Sequence, residues 1–429
     1  MAAVGGKCGC LSIDAFLGGA GSLADVLDVG GNVTGVTQVF VTDTNAGPGV
    51  YNPTGILVAH AAGTTAVGDF VLANGPIDKG LFAYDLVFDA ANGEHRLVGL
   101  PDREAFEPLA AVAGAQAIWR ESADAWSTRQ ENLRDMLATS HTVTAVADPP
   151  VEGSDAPTGG LWASVLGSWS KRDDDASFSL LDANLDFDMS YKQDIYGVVG
   201  GADFRTGLGA GGGSLLFGVM AGYVDSTLDF DEGSTSIDSK GATLGAYAGL
   251  LSNGFFATVL VKADLLKMDY QVGSLAVDDN DDADVTSLGA RGDLGYRFGD
   301  TLFVEPMISV DGFSTKIDDF SVGGADIDAG TNESYRAGAG LRAGYGGETV
   351  RASATARVWD VFSTDNEVDV LAGVPLGLSD DDLEGVYGDV SGQVDVTLSA
   401  NMTAYLKGGN LFSDDVTKPN ASGGFAFSW

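Results

Sequence analysis

The feature that most constrains the fold is a two-residue alternation that recurs from Gly159 to Trp429. Between Phe255 and Leu265, Phe255, Ala257, Val259, Val261, Ala263 and Leu265 share one face, and Thr258, Lys262 and Asp264 lie on the other. Between Tyr335 and Tyr345 the apolar face is Tyr335, Ala337, Ala339, Leu341, Ala343 and Tyr345, and its reverse carries Arg336, Gly338, Gly340 and Arg342. The same pattern sets Val350, Ala352, Ala354, Ala356 and Val358 against Arg351, Ser353, Thr355 and Arg357. Side chains alternate across a strand, so each run has one apolar and one polar face. A soluble sandwich produces this too. Three details favour a membrane-spanning barrel. The runs reach about ten residues, enough for a tilted crossing of a bilayer. Aromatics such as Tyr335 and Tyr345 stand at the ends of apolar faces, where an interfacial girdle would be. The connections alternate between short turns ("LSNG", "RFGD", "GYGGE", "LSAN") and long acidic loops ("SLAVDDNDDADV", "DDFSVGGADIDAGTN", "STDNEVDVLAGVPLGLSDDD").

Twelve such strands are expected, beginning near Leu161, Tyr191, Leu215, Thr243, Phe255, Val285, Leu302, Tyr335, Val350, Gly385, Met402 and Gly423. The expected fold is all-β, a 12-stranded antiparallel transmembrane barrel covering residues 159–429. Composition agrees: 61 Gly among 429 residues favour turns and strands over helices. No stretch of 18 apolar residues marks a membrane helix. A net charge of -38 excludes nucleic acid as a partner, since phosphate contacts need clustered Lys and Arg.

Ahead of the barrel the text changes twice. Residues 1–108 are short β-branched and aromatic runs between Gly and Asn turns, as in "GILVAHAAGTTAVGDFVLANG", with no strict repeat visible. Residues 109–137 ("LAAVAGAQAIWRESADAWSTRQENLRDML") form the one long helix expected. Trp119, Trp126 and Leu133, with Ala123 and Leu137, make one stripe, and Arg120 is spaced to pair with Asp124. Residues 138–158, containing Pro149, Pro150 and Pro157, read as a linker.

Candidate chemistry is sparse. Cys8 and Cys10 are too close for an unstrained disulfide, and only His60, His95 and His141 could join them around a metal. "GLGAGG" (207–212) spells a dinucleotide fingerprint but joins two strands, so it reads as a turn. The tripeptide Arg291, Gly292, Asp293 spells a cell-adhesion motif but faces the lumen. The acidic runs 278–284 and 379–382 lack EF-hand spacing and read as solvated charge. No catalytic constellation, cofactor or metal site is expected. The polar faces place Arg291, Asp293, Arg297, Arg336, Arg342, Arg351, Arg357, Asp389 and Asp395 in the lumen, where they could contact something threaded through the pore. The helix just before the barrel is the candidate occupant, through Trp119, Arg120, Asp124, Trp126, Arg129 and Arg134 together with Glu121, Glu131 and Asp135.

A strand-rich segment, one helix and twelve alternating strands resemble, in that order, the type Va autotransporters of Gram-negative bacteria. "ADVLDVGGNVTG" and "GDFVLANGPIDKGLFAYDLVFDAANGEHRLVG" look like the last rungs and junction of a β-helical passenger. "AIWRESADAWSTRQENLRDML" looks like the linker helix, "GGLWASVLGSWSKRD" like the first barrel strand and "SGGFAFSW" like the last. The resemblance implies an outer-membrane translocator that exports its own N-terminal passenger (type V secretion), with the helix left in the pore. It also implies outer-membrane lipid and the barrel-assembly machinery as partners, the latter reading Phe425, Phe427 and Trp429 on the closing strand. A monomer is expected. Cleavage at paired Asn residues in the helix is not, because "QENLRD" offers Asn132 alone. No N-terminal signal peptide is visible. The competing readings are a porin-like channel, with the helix as plug and the arginines selecting anions, and a surface adhesin.

Overall fold

The computed structural model describes residues 9–142, 159–208, 213–273, 282–379 and 383–429. Cys8, residues 143–158 of the expected linker, residues 209–212 of "GLGAGG" and the acidic residues 278–281 and 380–382 lie outside these.

The chain begins with eight strands: β1 (Gly9–Ala15), β2 (Leu27–Val29), β3 (Thr37–Asp43), β4 (Asn52–Ala61), β5 (Phe70–Leu72), β6 (Ile77–Lys79), β7 (Phe82–Asp89) and β8 (Glu94–Pro101). β1, β3 and β5 pair in parallel, as do β2 and β4, whereas β4, β8, β7 and β6 are antiparallel neighbours. Gly9 lies opposite Thr37, Leu27 opposite Ala59 and Thr37 opposite Phe70, so the chain returns to the same edge after about 30 residues, as in a solenoid. The returns are unequal in length and the strands are short, which is why no strict repeat shows in the letters. Ile13, Leu17, Val39, Ile56, Val58, Phe70 and Leu97 fill the interior of this unit.

Helix α1 (Pro108–Thr142) follows a single 3-10 turn. Pro108 takes the first helical position, where its missing N–H costs nothing. The helix runs past the expected end at Leu137 because 138–142 contain no Pro or Gly to stop it. At 35 residues it is about 52 Å long, more than a hydrocarbon core is thick.

The remaining strands are β9 (Gly159–Arg172), β10 (Asp175–Leu180), β11 (Ala183–Asp188), β12 (Tyr191–Gly207), β13 (Gly213–Phe230) and β14 (Thr235–Ser252). They continue with β15 (Phe255–Val272), β16 (Asp282–Tyr296), β17 (Leu302–Ile317), β18 (Phe320–Val322), β19 (Ala325–Asp328) and β20 (Thr331–Gly346). Last come β21 (Val350–Asp365), β22 (Glu367–Leu371), β23 (Leu376–Ser379), β24 (Gly385–Ser399), β25 (Met402–Phe412) and β26 (Val416–Ser428). Twelve of them, β9, β12–β17, β20, β21 and β24–β26, form a closed antiparallel barrel, in which β26 pairs back onto β9.

Strands such as β14 and β26 start earlier than expected, at Thr235 and Val416. On their outward faces the added segments carry polar residues such as Lys240, which lie beyond the apolar band and so give no hydrophobic alternation. The outward faces of the barrel middle are Val198, Val219, Leu244, Val259, Val261, Leu288, Ile308, Val310, Leu341, Val358, Val390 and Val394, all exposed. Aromatics rim this band. At the short-turn end Phe204 stacks on Phe217, and Tyr296 lies tilted against Phe298 and Phe427 against Trp429; at the long-loop end Trp169 donates its indole N–H to Tyr196 Oη at 2.8 Å. So broad a band of exposed apolar side chains in water would be an aggregation hazard; against lipid it is the solvated surface.

Two loop-borne sheets stand at the long-loop mouth. β10 and β11 are a hairpin, and β18–β19 with β22–β23 make a four-stranded sheet from two separate loops.

Candidate functional site

The barrel lumen is occupied by α1. Trp119, Trp126, Ile118 and Ala123 are buried, and so are Gln116, Arg129, Gln130, Glu131, Asn132, Arg134 and Asp135. The stripe of Trp119, Ala123, Trp126 and Leu133 is buried, and most of the helix's charged residues are buried with it, except Asp124, whose side chain is half-exposed. The apolar face packs on wall aromatics, with Trp119 stacked on Phe313 at 4.4 Å and Trp126 tilted against Tyr247 at 6.1 Å. Gly114 lets the helix approach the wall closely; a Cβ there would stand 3.2 Å from Leu228 Cδ1.

The polar faces meet the wall through charges. The expected Arg120–Asp124 pair is not made, because each residue finds a wall partner in better reach. Arg120 donates to Ser334 Oγ at 2.7 Å, and Arg291 donates to Asp124 Oδ1 at 2.5 Å. Arg291 also lies 3.7 Å from Asp293, and Arg336 donates to Asp311 at 2.7 Å. Lower down, Arg129 donates to Asp203, its Nε at 2.8 Å. Arg357 and Lys407 both reach Glu131, at 3.0 and 3.2 Å. Near the short-turn mouth, Asp135 and Glu305 are gripped by Arg297 at 2.7 and 2.8 Å and by Arg342 at 3.0 and 3.1 Å, while Arg134 reaches Glu305 at 3.4 Å. Arg297 and Arg134 also lie over the rings of Phe303 and Phe256, at 3.6 and 3.9 Å.

The structure thus brings together on the helix Arg291, Asp293 (through Ser127 Oγ, 3.5 Å), Arg297, Arg342 and Arg357 from the wall. Arg351 bonds the wall hydroxyls of Thr397 and Thr403 instead, and Asp395 accepts from Gln393, which itself donates to Asn132. Asp389 is half-buried beside a small polar cavity shared with Asp124, Arg357 and Lys407. Phe425, Phe427 and Trp429 point outward; Gly424, Ala426 and Ser428 point inward.

Sequence reasoning did not single out Lys262, Asp203, Glu305 or Lys407. Lys262 is fully buried, bound to Asp264 at 2.6 Å and donating to Ser122 Oγ of the helix at 2.8 Å. The signal was present, since Lys262 and Asp264 fall on the inward face of a strictly alternating run. What was missing was a reason to prefer them over other inward charges.

At the long-loop mouth Glu107, just before the helix, is completely buried and lies 2.7 Å from Arg103 Nη1. Burial raises its pKa to about 7, against the lowering effects of Thr235 and Arg103. The folded state therefore binds a proton more tightly than the unfolded chain, so this group's stabilisation is full below the ordinary glutamate range and is lost as pH rises through about 7. Glu107→Gln is expected to flatten the fall in thermal stability of the detergent-solubilised protein between pH 5 and pH 8. An unchanged pH slope would contradict this.

Among the described residues no group of His, Cys, Asp and Glu is arranged to hold a metal.

A family model described as the autotransporter beta-domain matches residues 161–409. A putative uncharacterized protein of Escherichia coli K12, YaiT, is 24% identical over 323 residues; the match covers 73% of this chain and 29% of that protein, so the chain spans less than a third of this relative's length. Three solved structures are similar. The beta domain of the Bordetella autotransporter BrkA has a TM-score of 0.47 at 17% identity, covering 63% of this chain and 100% of that one. The translocator domain of NalP from Neisseria meningitidis has a TM-score of 0.48 at 12% identity, covering 72% and 99%. The transport unit of AIDA-I from Escherichia coli has a TM-score of 0.48 at 12% identity, covering 68% and 98%.

Proposed function

Because the chain belongs to the autotransporter beta-domain family, and its barrel is a translocator of the bacterial outer membrane, we propose that residues 1–108 are the barrel-proximal end of its passenger, carried to the cell surface. The beta-domain is a secretion domain rather than a catalytic one. The observation that carries the reading is α1 itself. It passes through a closed barrel, is held by both its apolar and its charged residues, and is continuous at the long-loop mouth with the N-terminal β unit. A chain in this position has one end on each side of the membrane. The same occupancy disfavours an open porin-like channel, since Arg291, Arg297, Arg342 and Arg357, which would select ions, are paired with carboxylates of the helix.

Assembly follows from the same reading. The closing strand β26 carries an outward aromatic face, a feature the barrel-assembly machinery can read, and the closed barrel functions as a monomer.

Cys10 provides the test, because it is exposed on β1. In a Cys8→Ser variant, a membrane-impermeant maleimide is expected to label Cys10 on intact cells as fully as after lysis. Labelling only after lysis, with the barrel folded in the outer membrane, would remove the surface assignment.

A further inference from the structure

The short-turn mouth holds a cavity of about 380 Å³, a size usual for small-ligand sites. It lies between the last turns of α1 and an arc of neighbouring strands from β12 to β16. Its described lining carries three arginines, Arg134 of the helix and Arg205 and Arg297 of the wall, against one carboxylate, Asp300. The chain as a whole has 61 acidic and 23 basic side chains, so this excess runs against its composition. The ion pairs behind the cavity do not cancel it. Arg134, Arg297 and Arg342 share two carboxylates, Asp135 and Glu305. Arg134 Nε and Arg297 Nε are buried with no hydrogen-bond partner among the described residues. A guanidinium cannot shed its charge, so the surplus calls for an anion.

The arginines are fixed in place. Besides resting on Phe303, Arg297 donates its backbone N–H to Gly254 O at 2.7 Å and its Nη2 to Asp300 O at 3.4 Å. These bonds tie the β14–β15 turn to the end of β16. Asn253 and Gly254, at φ +49° and +86°, keep that turn tight. The walls are therefore preformed, which lowers the cost of ordering them around a ligand.

The rest of the lining reaches the lipid-facing surface. Phe255 and Tyr296 are register partners that point outward, at 37% and 41% exposure, in the aromatic rim of this end. The cavity thus runs from lumen arginines to the outer wall of the barrel. That arrangement suits an amphiphile, with its anion inside the rim and its apolar chains outside.

Charge on the barrel exterior points to the source of that amphiphile. Lys171, Lys192, Lys240, Lys267 and Lys316 face outward, all at the long-loop end. Among the described residues no Lys or Arg faces outward at the short-turn end. A lipid phosphate in the leaflet at that end meets a guanidinium only by reaching over the rim, and Arg is well suited to hold it.

We propose that this cavity binds a phospholipid of the periplasmic leaflet, with its phosphodiester on Arg134, Arg205 and Arg297 and its acyl chains over Phe255 and Tyr296. Arg134 belongs to α1 and the other two arginines to the wall, so the bound lipid ties the end of the helix to the barrel.

The test uses the whole protein folded in a non-ionic detergent and reads the temperature at which the heat-shifted band is lost. Dihexanoyl phosphatidylglycerol is the probe. Dihexanoylglycerol, which lacks the phosphate, and inorganic phosphate, which lacks the chains, are its two halves. The parent's temperature is expected to rise with the probe and with neither half. Ser214→Asp puts a carboxylate in the cavity wall, and Arg205→Gln removes a cation from it. In each, the probe concentration giving half the rise is expected to increase about tenfold or more, the contribution of one charge-assisted hydrogen bond. Neither variant touches Asp135 or Glu305, and a normal heat-shifted band without probe shows that each has folded. An equal rise with inorganic phosphate would make this a site for free anions and overturn the lipid. An equal rise with dihexanoylglycerol would overturn the role of the arginines. No rise in the parent, or the parent's half-rise concentration in both variants, would overturn the site.

Discussion

Removing residues 423–429 is expected to abolish insertion of the barrel. These residues hold two ladders at once. Gly423, Gly424, Phe425, Ala426, Phe427 and Ser428 pair with Val165, Ser164, Ala163, Trp162, Leu161 and Gly160 of β9, and on the other side Phe425 and Phe427 pair with Ala404 and Met402 of β25. Without them the edges of β9 and β25 would present unpaired N–H and C=O groups to hydrocarbon, at several kcal/mol for each group. The loss is larger than that of any side chain, since nothing else in the chain can close the ring. The measurement is heat-modifiable migration of the outer-membrane fraction. A normally shifted band from the shortened chain would refute the expectation. A Phe425→Ser, Phe427→Ser, Trp429→Ser variant keeps the ladder and loses only the aromatic face, so it separates pairing from recognition of the closing strand. If that face is an assembly signal, the variant accumulates in the periplasm while any inserted fraction remains heat-modifiable.

Arg342→Ala is expected to give the largest loss of stability from a single lumen residue. Arg342 is fully buried and binds both Asp135 of the helix and Glu305 of the wall. Removing it leaves two buried carboxylates with fewer cations between them, and breaking such a network by deleting one partner costs about 3–5 kcal/mol. The loss should appear as a lower temperature for conversion of the folded to the unfolded band in detergent. Removing its partners in step, with Arg342→Met, Arg134→Met and Glu305→Gln together, should recover much of the loss, because Arg297 and Asp135, 2.7 Å apart, then remain as a matched pair. Equal melting of the parent, single and triple proteins would show that the cluster does not hold the helix.

The barrel was largely legible in the sequence because lipid enforces the pattern. A strand in hydrocarbon must be apolar on one face, so Phe255 to Leu265 and Tyr335 to Tyr345 announce their register. Where strands rise above the bilayer that pressure ends, and the early starts of β14 at Thr235 and β26 at Val416 were invisible for that reason. The helix and its place in the bore were legible from composition and position, but the depth at which its charges are buried was not. A stripe of Trp119, Trp126 and Leu133 suggests one packed face. Only the closed barrel shows Arg129, Glu131 and Asp135 buried as deeply as the tryptophans.

The lumen network divides the same way. Alternation placed Arg291, Arg336, Arg342 and Arg357 on inward faces, because a side chain's face depends only on its parity along the strand. Which carboxylate each would meet depends on strand stagger and on the rotation of the helix in the bore, and neither is written locally. Asp124 therefore belongs to Arg291 rather than to Arg120 four residues away on its own helix. The β10–β11 hairpin is a similar case. Its alternating pattern is plain in "DASFSLLDANLDFD", but what its apolar face would cover could not be read, since Val87 and Val98 are distant in the chain. By itself the sequence determined strand count, inward and outward faces, and the place of the helix, all set by short periods and by the solvent each face must meet. Tertiary structure alone decided the ion-pair partners and the seating of the N-terminal unit, because these join residues whose separation is fixed only when the barrel closes.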